Sequence, residues 1–446
     1  MPPADTIAAI ATAPGRAGIG VVRVSGPAAR TIASALTGAL LAPRRATLAR
    51  FSDGHGELID QGIALFFPAP HSYTGEDVLE LHGHGGPAIL RLLLHRCFEL
   101  GARPAQPGEF TLRAFFNGKL DLAQAEAVAD LIDASSAAAA RGAMRSLAGA
   151  FSKQVRQLRD GLLELRAFVE AVLDFPEEDV DLLERDAALS RLEALRARLA
   201  EIIKTAKQGN LLREGVRTVL LGRPNVGKSS LMNLLAQEEV SIVTEVPGTT
   251  RDALRRDLTI EGVPIHLVDT AGLRESADLV EQLGVQRSWD EIRRADLLLH
   301  VYDATHAIEP EDEAIERALP RSARKIRVFN KIDLLGEVPR VSSGDAETHI
   351  WLSAKTGAGV ELLRRALLEA VGWQNLEEAP FMARERHLAA LAKAESALVR
   401  ASAELHQLEL LAEELRLAQL ALGEITGEVT SDDLLGEIFS RFCIGK

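Results

Sequence analysis

The spacing of apolar residues divides the chain into stretches of different character. Residues 1–118 carry short apolar runs, among them Gly20–Ser25, Gly62–Phe67 and Asp77–Leu81. Glycine and proline separate these runs, as they do between short strands. This stretch is therefore predicted to form a small α/β or α+β domain.

Residues 119–212 have a different pattern, in which apolar side chains recur at steps of three and four. One such row is Leu158, Leu162, Leu165 and Val169. That spacing places apolar side chains on one face of a helix, and Pro176 is expected to end one of these helices. Helical composition returns from about Phe381 to Gly423. We therefore predict one helical domain, over residues 119–212 and 372–446, into which residues 213–371 are inserted. Two separate helical segments are the alternative arrangement.

Composition narrows the classes of protein to which this chain can belong. For 446 residues, about three domains are expected, and a hydrophobic content of 47% favours folded cores over disorder. Two cysteines are too few for a disulfide framework, and neither a signal peptide nor an apolar stretch of about 18 residues is present. We therefore expect a cytoplasmic protein without a membrane segment. The net charge of −13 argues only weakly against a nucleic-acid partner.

A phosphate-binding loop follows the apolar run Arg217–Leu221, which is predicted to be a buried strand. The loop reads G-R-P-N-V-G-K-S over Gly222–Ser229, and a helical pattern comes after it. In this context backbone N–H groups surround the phosphates at a helix N-terminus. Lys228 is expected to reach the β- and γ-phosphates and Ser229 to ligate Mg²⁺. The nucleotide-binding residues predicted here are Asn225, Val226, Gly227, Lys228, Ser229 and Ser230.

Two further elements are suited to Mg²⁺ and the γ-phosphate. The first is G-T-T-R-D at Gly248–Asp252, in which the Thr250 hydroxyl is expected to complete the Mg²⁺ shell beside Thr249. The second follows a predicted strand and consists of Asp269, Thr270, Ala271 and Gly272. Its aspartate suits an outer-shell contact to Mg²⁺, and its glycine suits a backbone N–H bond to the γ-phosphate.

The base is predicted from two later motifs, each placed after a strand-like run. In Asn330-Lys331-Ile332-Asp333 the Asp333 carboxylate accepts from the two donors that guanine presents and adenine lacks. Ser353, Ala354 and Lys355 then provide backbone contacts to the guanine carbonyl. The ordered set predicts a Ras-like P-loop GTPase domain. Leu273 stands where Ras-like enzymes carry a water-orienting glutamine, so catalysis must use another residue, a cation or a partner.

Outside these motifs the whole chain resembles the MnmE (TrmE) family of tRNA-modification GTPases. The residues that carry the resemblance are Thr74–Leu81, Gly83–Pro87, Pro107–Thr111, Lys119–Ala127, Asp174–Glu178, the run from Leu410, Thr430–Gly436 and Phe442–Lys446. The resemblance implies a folate-binding and dimerising domain over residues 1–118. It also implies a central helical domain over 119–212 and 372–446, and a GTPase domain inserted over 213–371.

The resemblance further implies an activity and its partners. Members form homodimers and assemble with an FAD-dependent partner, MnmG (GidA), in a heterotetramer. Together they add an aminomethyl or carboxymethylaminomethyl group to C5 of the wobble uridine of certain tRNAs. The bridging carbon comes from 5-formyl- or methylene-tetrahydrofolate.

Site residues follow from the resemblance at matching positions. Asn225 matches a K⁺ ligand, although an asparagine chosen for turn geometry is the alternative. The loop that completes the K⁺ cage matches Thr244, Glu245, Val246, Pro247, Gly248 and Thr249, with Thr244, Val246 and Thr249 as ligands. Glu281 matches the catalytic glutamate that orients water, where a solvated helix-face charge is the alternative.

For folate, the matching residues are Arg23, Glu80, Lys119 and the C-terminal Lys446. Cys443 either serves the modification chemistry or packs the tail. Two other functions stay open for a GTPase with helical arms, namely a ribosome-assembly factor and a regulatory GTPase. Neither of them explains the N-terminal stretch or the terminal F-C-I-G-K.

Overall fold

The computed structural model describes residues 5–174, 182–237, 255–269, 289–320, 324–344, 347–374, 381–428 and 432–445. It separates into two compact units. The first comprises Met1–Ile132, Ser146–Arg198 and Ala390–Lys446, and the second comprises Asp133–Arg145 and Leu199–Ala389. The domain boundaries given above remain a prediction.

An N-terminal six-stranded sheet has the order β3-β4-β5-β2-β1-β6. Its strands are β1 (Ile7–Ile10), β2 (Ala17–Ser25), β3 (Thr47–Ser52), β4 (Leu58–Phe67), β5 (Val78–Gly85) and β6 (Arg103–Pro104). All neighbouring strands are antiparallel except β1 and β6. The three apolar runs noted in the sequence lie within or at the start of β2, β4 and β5, which confirms them as strands.

Three helices accompany this sheet, α1 (Ala29–Thr37), α2 (Pro87–Glu99) and α3 (Glu109–Phe116). Alternate residues of the strands pack with α1 and α2 in one apolar core that includes Val22, Leu79 and Leu81. A second small core joins β1 to α3 through Ile7 and Phe110. The residues between those of the main core, Arg23 and Glu80 among them, therefore lie on the other face of the sheet.

Four helices follow, α4 (Leu122–Asp133), α5 (Ala137–Leu147), α6 (Ala150–Asp174) and α7 (Leu182–Glu214). The predicted apolar row of Leu158, Leu162, Leu165 and Val169 lies on α6, and all four side chains are buried. α6 extends to Asp174, and Pro176 lies outside the described residues. The helical prediction for this stretch is thus confirmed.

The second sheet has seven strands in the order β12-β13-β11-β10-β7-β9-β8. Its elements are β7 (Val216–Leu221), α8 (Lys228–Gln237), β8 (Arg255–Ile260), β9 (Val263–Asp269), β10 (Leu297–Asp303), α9 (Pro310–Ala318), β11 (Arg324–Asn330), a 3₁₀ turn (Ile332–Leu334), β12 (Arg340–Ser343), β13 (Thr348–Trp351) and α10 (Val360–Ala370). Five neighbouring strands are parallel, and only β8 and β12 run the other way. The carboxyl ends of the parallel strands therefore meet at one edge, where α/β proteins bind ligands.

The chain leaves the second sheet next to α7, which is the helix that precedes the first strand of that sheet. The Gln208 side chain of α7 donates from Nε2 to Gly372 O at 2.8 Å and accepts from Gln374 N at 2.9 Å. Gly209 lies against Phe381, whose carbonyl oxygen would overlap any β-carbon at that position. One turn of α7 therefore holds the segment that follows α10.

Three more helices follow among the described residues, α11 (Glu385–Ala403), α12 (Leu408–Thr426) and α13 (Asp432–Ser440). The predicted return of helical structure is confirmed by α11 and α12, while α13 lies beyond it. Among the residues that the structure describes, every helix is too short or too polar to cross a lipid bilayer.

Candidate functional site

The phosphate loop connects β7 to α8 in the predicted strand–loop–helix arrangement. Gly227 has φ 99°, and any β-carbon there would overlap the Asn330 side-chain amide, so only glycine fits. Asn225 lies at the crest of the loop with φ 66°, a left-handed conformation that asparagine tolerates better than most residues. The residues of the loop thus fix its backbone conformation.

Lys228 is folded back over this loop. Its ammonium donates to Gly222 O at 2.8 Å and to Arg223 O at 3.1 Å. Burial lowers the pKa of Lys228, and the nearby Asp269 carboxylate opposes that shift. The side chain is therefore held in place at the loop, as a phosphate-binding lysine requires.

Asp269 ends β9 beside the first turn of α8. Burial raises the pKa of its carboxyl group, whereas Lys228 and a hydrogen bond from Ser229 lower it. Its Oδ1 atom is buried and has no hydrogen-bond partner among the described residues. A hydroxyl group and an unsatisfied carboxylate oxygen side by side fit Mg²⁺, which prefers hard oxygen ligands.

Asn330 ties the phosphate loop to the base-recognition motif. Its buried side chain donates from Nδ2 to Val226 O and accepts from Ala354 N at Oδ1, both at 2.8 Å. Ser353 donates to Asp333 Oδ1 at 2.6 Å and so orients that carboxylate. Two motifs far apart in the sequence therefore meet at the carboxyl edge of the sheet.

Lys331 has a partner that sequence reasoning did not identify. It has φ 70°, and its Nζ donates to Asp303 Oδ2 at 2.7 Å at the end of β10. Burial opposes ionisation of Asp303, but hydrogen bonds from Lys331 and Thr305 lower its pKa to about 2. The position of Asp303 at a strand end, directly before a turn, was the only signal available in the sequence.

The remaining predicted residues of this site are divided between described and undescribed parts of the chain. Ser230 lies in the first turn of α8 and Lys355 lies in the loop after β13, and both are exposed. The following predicted residues lie outside the described residues: Thr244, Glu245, Val246, Pro247, Gly248, Thr249, Thr250, Thr270, Ala271, Gly272 and Glu281.

A second polar site lies in the N-terminal sheet, where Arg23 of β2 faces Glu80 of β5 in register. The two side chains form an ion pair with an Nη2–Oε1 distance of 2.8 Å and an Nε–Oε1 distance of 3.0 Å. The guanidinium group of Arg23 also lies 5.4 Å from the centre of the Tyr73 ring and 5.8 Å from that of Phe110. An ion pair between two aromatic rings offers both polar and stacking contacts to a ligand.

The C-terminal tail reaches the same place. Arg23 Nη1 donates to Gly445 O at 3.4 Å, and Gly108 N donates to Cys443 O at 3.4 Å. Gly445 lies so close to Ile10 that a β-carbon would overlap its carbonyl oxygen. The structure therefore brings Arg23, Glu80 and the tail together.

Three further residues are expected at the folate site or in the tail, and the structure describes two of them. The Cys443 thiol group belongs to an exposed residue. Lys119 donates to Pro70 O at 3.0 Å, in the loop that also carries Tyr73. Lys446 lies outside the described residues.

The mainly parallel sheet, the phosphate loop and the guanine-recognition motifs define a P-loop GTPase that carries additional domains. The family model of the GTP-binding protein TrmE N-terminus matches residues 6–119, and that of the MnmE helical domain matches residues 122–443. The chain belongs to the MnmE (TrmE) family of tRNA-modification GTPases.

Relatives match this chain over its full length. The tRNA modification GTPase MnmE of Aromatoleum aromaticum is 58% identical over 99% of this chain and 98% of its own length. The protein of the same name from Nitrosomonas eutropha is 57% identical over 99% of both chains. That of Azoarcus sp. is 58% identical over 100% of this chain and 98% of its own length.

Proposed function

We propose that this chain hydrolyses GTP and couples the hydrolysis to modification of the wobble uridine of certain tRNAs. The observation that carries the proposal is the pair of hydrogen bonds made by the Asn330 side chain, which join the phosphate loop to the base-recognition loop. These two hydrogen bonds support a single site that binds triphosphate and guanine together. Full-length relatives named tRNA modification GTPase support the coupling to tRNA.

At the nucleotide, Lys228 binds the β- and γ-phosphates, and Asp333 accepts from guanine. Ser229 and Thr250 would ligate Mg²⁺, and Asp269 would contact it through its outer shell. Bound Mg²⁺ neutralises charge on the phosphates. The buried, unsatisfied Asp269 Oδ1 supports this assignment.

K⁺ takes the place of an arginine finger in this proposal. Asn225 would supply an amide ligand to K⁺, and Thr244, Val246 and Thr249 would supply the others. When bound, K⁺ would neutralise negative charge on the phosphates. Glu281 orients the attacking water. The Leu273 side chain has no hydrogen-bonding group and does not serve this role.

The second site binds a reduced folate that supplies the one-carbon unit, either 5-formyl- or methylene-tetrahydrofolate. Glu80 accepts from the N–H donors of the pterin, Arg23 and Lys119 hold the ligand, and Lys446 closes the pocket. The ion pair of Arg23 and Glu80 between two aromatic rings supports this ligand class. Cys443 either acts in the chemistry or packs the tail.

The proposal includes the assembly in which the reaction takes place. The chain forms a homodimer and joins an FAD-dependent partner, MnmG (GidA), in a heterotetramer on tRNA in the cytoplasm. The two free cysteines suit a reducing compartment. A ribosome-assembly or regulatory GTPase would share the nucleotide site but would not need the pair of Arg23 and Glu80.

Mass spectrometry of wobble uridines tests this proposal. Cells lacking this protein should lose the C5 modification, and the wild-type chain should restore it. Arg23→Gln removes the charge that pairs with Glu80, so it should restore GTP hydrolysis but not the modification. Arg30→Gln is the matched control, because Arg30 lies over the Phe66 ring of the same sheet, away from this site.

Two outcomes would contradict the proposal. Unchanged wobble uridines in cells lacking the protein would exclude the tRNA reaction. Full modification by Arg23→Gln would exclude the folate site and favour one of the alternative GTPase functions.

A further inference from the structure

We propose that Arg223, the second residue of the phosphate loop, is a positioning residue for Lys228 and is itself held by the first turn of α9. The inference rests on nucleotide binding at the site described above. Arg223 Nη1 lies 2.5 Å from Glu309 Oε2, and its Nε lies 3.2 Å from Asp312 Oδ1. One guanidinium group thus forms ion pairs with two carboxylates.

The carboxylates themselves are fixed by the helix end. Asp312 is almost completely buried, and its Oδ2 accepts from the backbone N–H of Glu309 at 3.2 Å. The Glu309 side chain in turn accepts from the backbone N–H of Asp312, which completes a capping box. Asp312 therefore uses one oxygen to cap α9 and the other to hold Arg223.

The backbone of Arg223 passes this constraint to the lysine. Its carbonyl oxygen accepts from Lys228 Nζ at 3.1 Å, next to the bond from the same ammonium to Gly222 O. Asn330 holds the far end of the loop at Val226 O. Both ends of the phosphate loop are therefore anchored, and less conformational freedom is lost when a nucleotide binds.

A different role for Arg223 would be direct attraction of the phosphates. The two roles predict opposite signs for one substitution. If Arg223 attracts phosphate, Asp312→Asn removes a competing negative charge and should strengthen nucleotide binding. If Asp312 positions the loop through Arg223, the same substitution should weaken binding, because the guanidinium group loses its buried partner.

Calorimetric titration of the full-length chain with Mg²⁺-GTP and Mg²⁺-GDP tests the proposal. Arg223→Gln and Asp312→Asn should each raise both dissociation constants by about tenfold. Combining the two substitutions should add little, because they break the same contact. Arg223→Lys should recover part of the affinity, because an ammonium group can still pair with one carboxylate. Arg317→Gln, on the exposed side of α9, is the control and should have no effect.

The proposal is overturned if Asp312→Asn strengthens binding or leaves it unchanged. It is also overturned if the two substitutions are additive, or if Arg317→Gln weakens binding as much as Arg223→Gln. If Asp312→Asn lowers the melting temperature, Glu309→Gln replaces it as the test. We expect Glu309→Gln to weaken nucleotide binding, and stronger nucleotide binding would contradict the proposal. Failure of the wild-type chain to prefer GTP over ATP would refute the nucleotide site itself, and this outcome is separate from all the others.

Discussion

Asn225 combines a backbone requirement with a proposed chemical role, and the two can be separated. Its φ of 66° would be accepted by glycine, which has no side chain to offer a cation. Asn225→Gly should therefore keep the loop shape and lose the amide ligand. We expect the wild type to hydrolyse GTP at least about tenfold faster in KCl than in NaCl, and the variant to show equal rates in both.

The rates should be measured at matched ionic strength, so that screening is the same in both salts. Asn225→Ala is the control for backbone strain, because alanine is disfavoured at positive φ. If Asn225→Gly retains the preference for KCl, then Asn225 serves the turn alone. Equal wild-type rates in the two salts would remove K⁺ from the mechanism.

Two glycines in helices allow a comparison at the scale of elements. At Gly209 of α7 a β-carbon would overlap the Phe381 carbonyl oxygen. At Gly436 of α13, among the described residues, an added β-carbon would meet nothing within 4 Å apart from the helix's own backbone. Alanine favours an exposed helix by up to about 1 kcal/mol, so Gly436→Ala should be mildly stabilising. Gly209→Ala should instead destabilise by about 2 kcal/mol or more, because a backbone carbonyl must move.

Urea unfolding followed by circular dichroism measures both variants. Tryptophan fluorescence reports separately on Gly209→Ala, because all three tryptophans, Trp289, Trp351 and Trp373, belong to the same unit as Gly209. If Gly209→Ala stabilised the protein as Gly436→Ala is expected to, the close packing of α7 against Phe381 would be wrong.

Elements with a local signal could be predicted, and those fixed by distant partners could not. The phosphate loop and β7 follow from adjacent residues, since a buried strand, glycines and a lysine suffice. Arg223 pairs with Glu309, and Lys331 pairs with Asp303. The two members of each pair are far apart in the sequence, so a short stretch of sequence does not contain both. α13 did have a signal, because Leu435, Ile438 and Phe439 show helical spacing and are buried.

At the scale of the molecule, the C-terminal tail links the last residues of the chain to its first sheet. Deleting Cys443–Lys446 removes the bonds to Gly108 and Arg23 but keeps Phe442, which packs in the core of α13. We therefore expect a melting temperature within a few degrees of the wild type and unchanged GTP hydrolysis. Modification of tRNA should be lost, because the proposed folate site stays open on one side.

Melting temperature, GTPase rate and modified uridine should be measured on the same truncated protein. Cys443→Ser isolates the sulfur, since it keeps the tail backbone in place. Normal modification by the truncated chain would exclude the tail from the mechanism. Loss of stability and of both activities together would mean that the tail only packs.

The hold of Gln208 on Gly372 and Gln374 also has a topological consequence. Gln208 lies six residues before the end of α7, so the points where the chain enters and leaves the seven-stranded sheet are about 9 Å apart along the helix axis. A linker of only about three extended residues spans that gap. The GTP-binding segment therefore begins and ends at neighbouring points of α7. The segment can vary in length or rearrange internally while its two ends keep their positions beside α7.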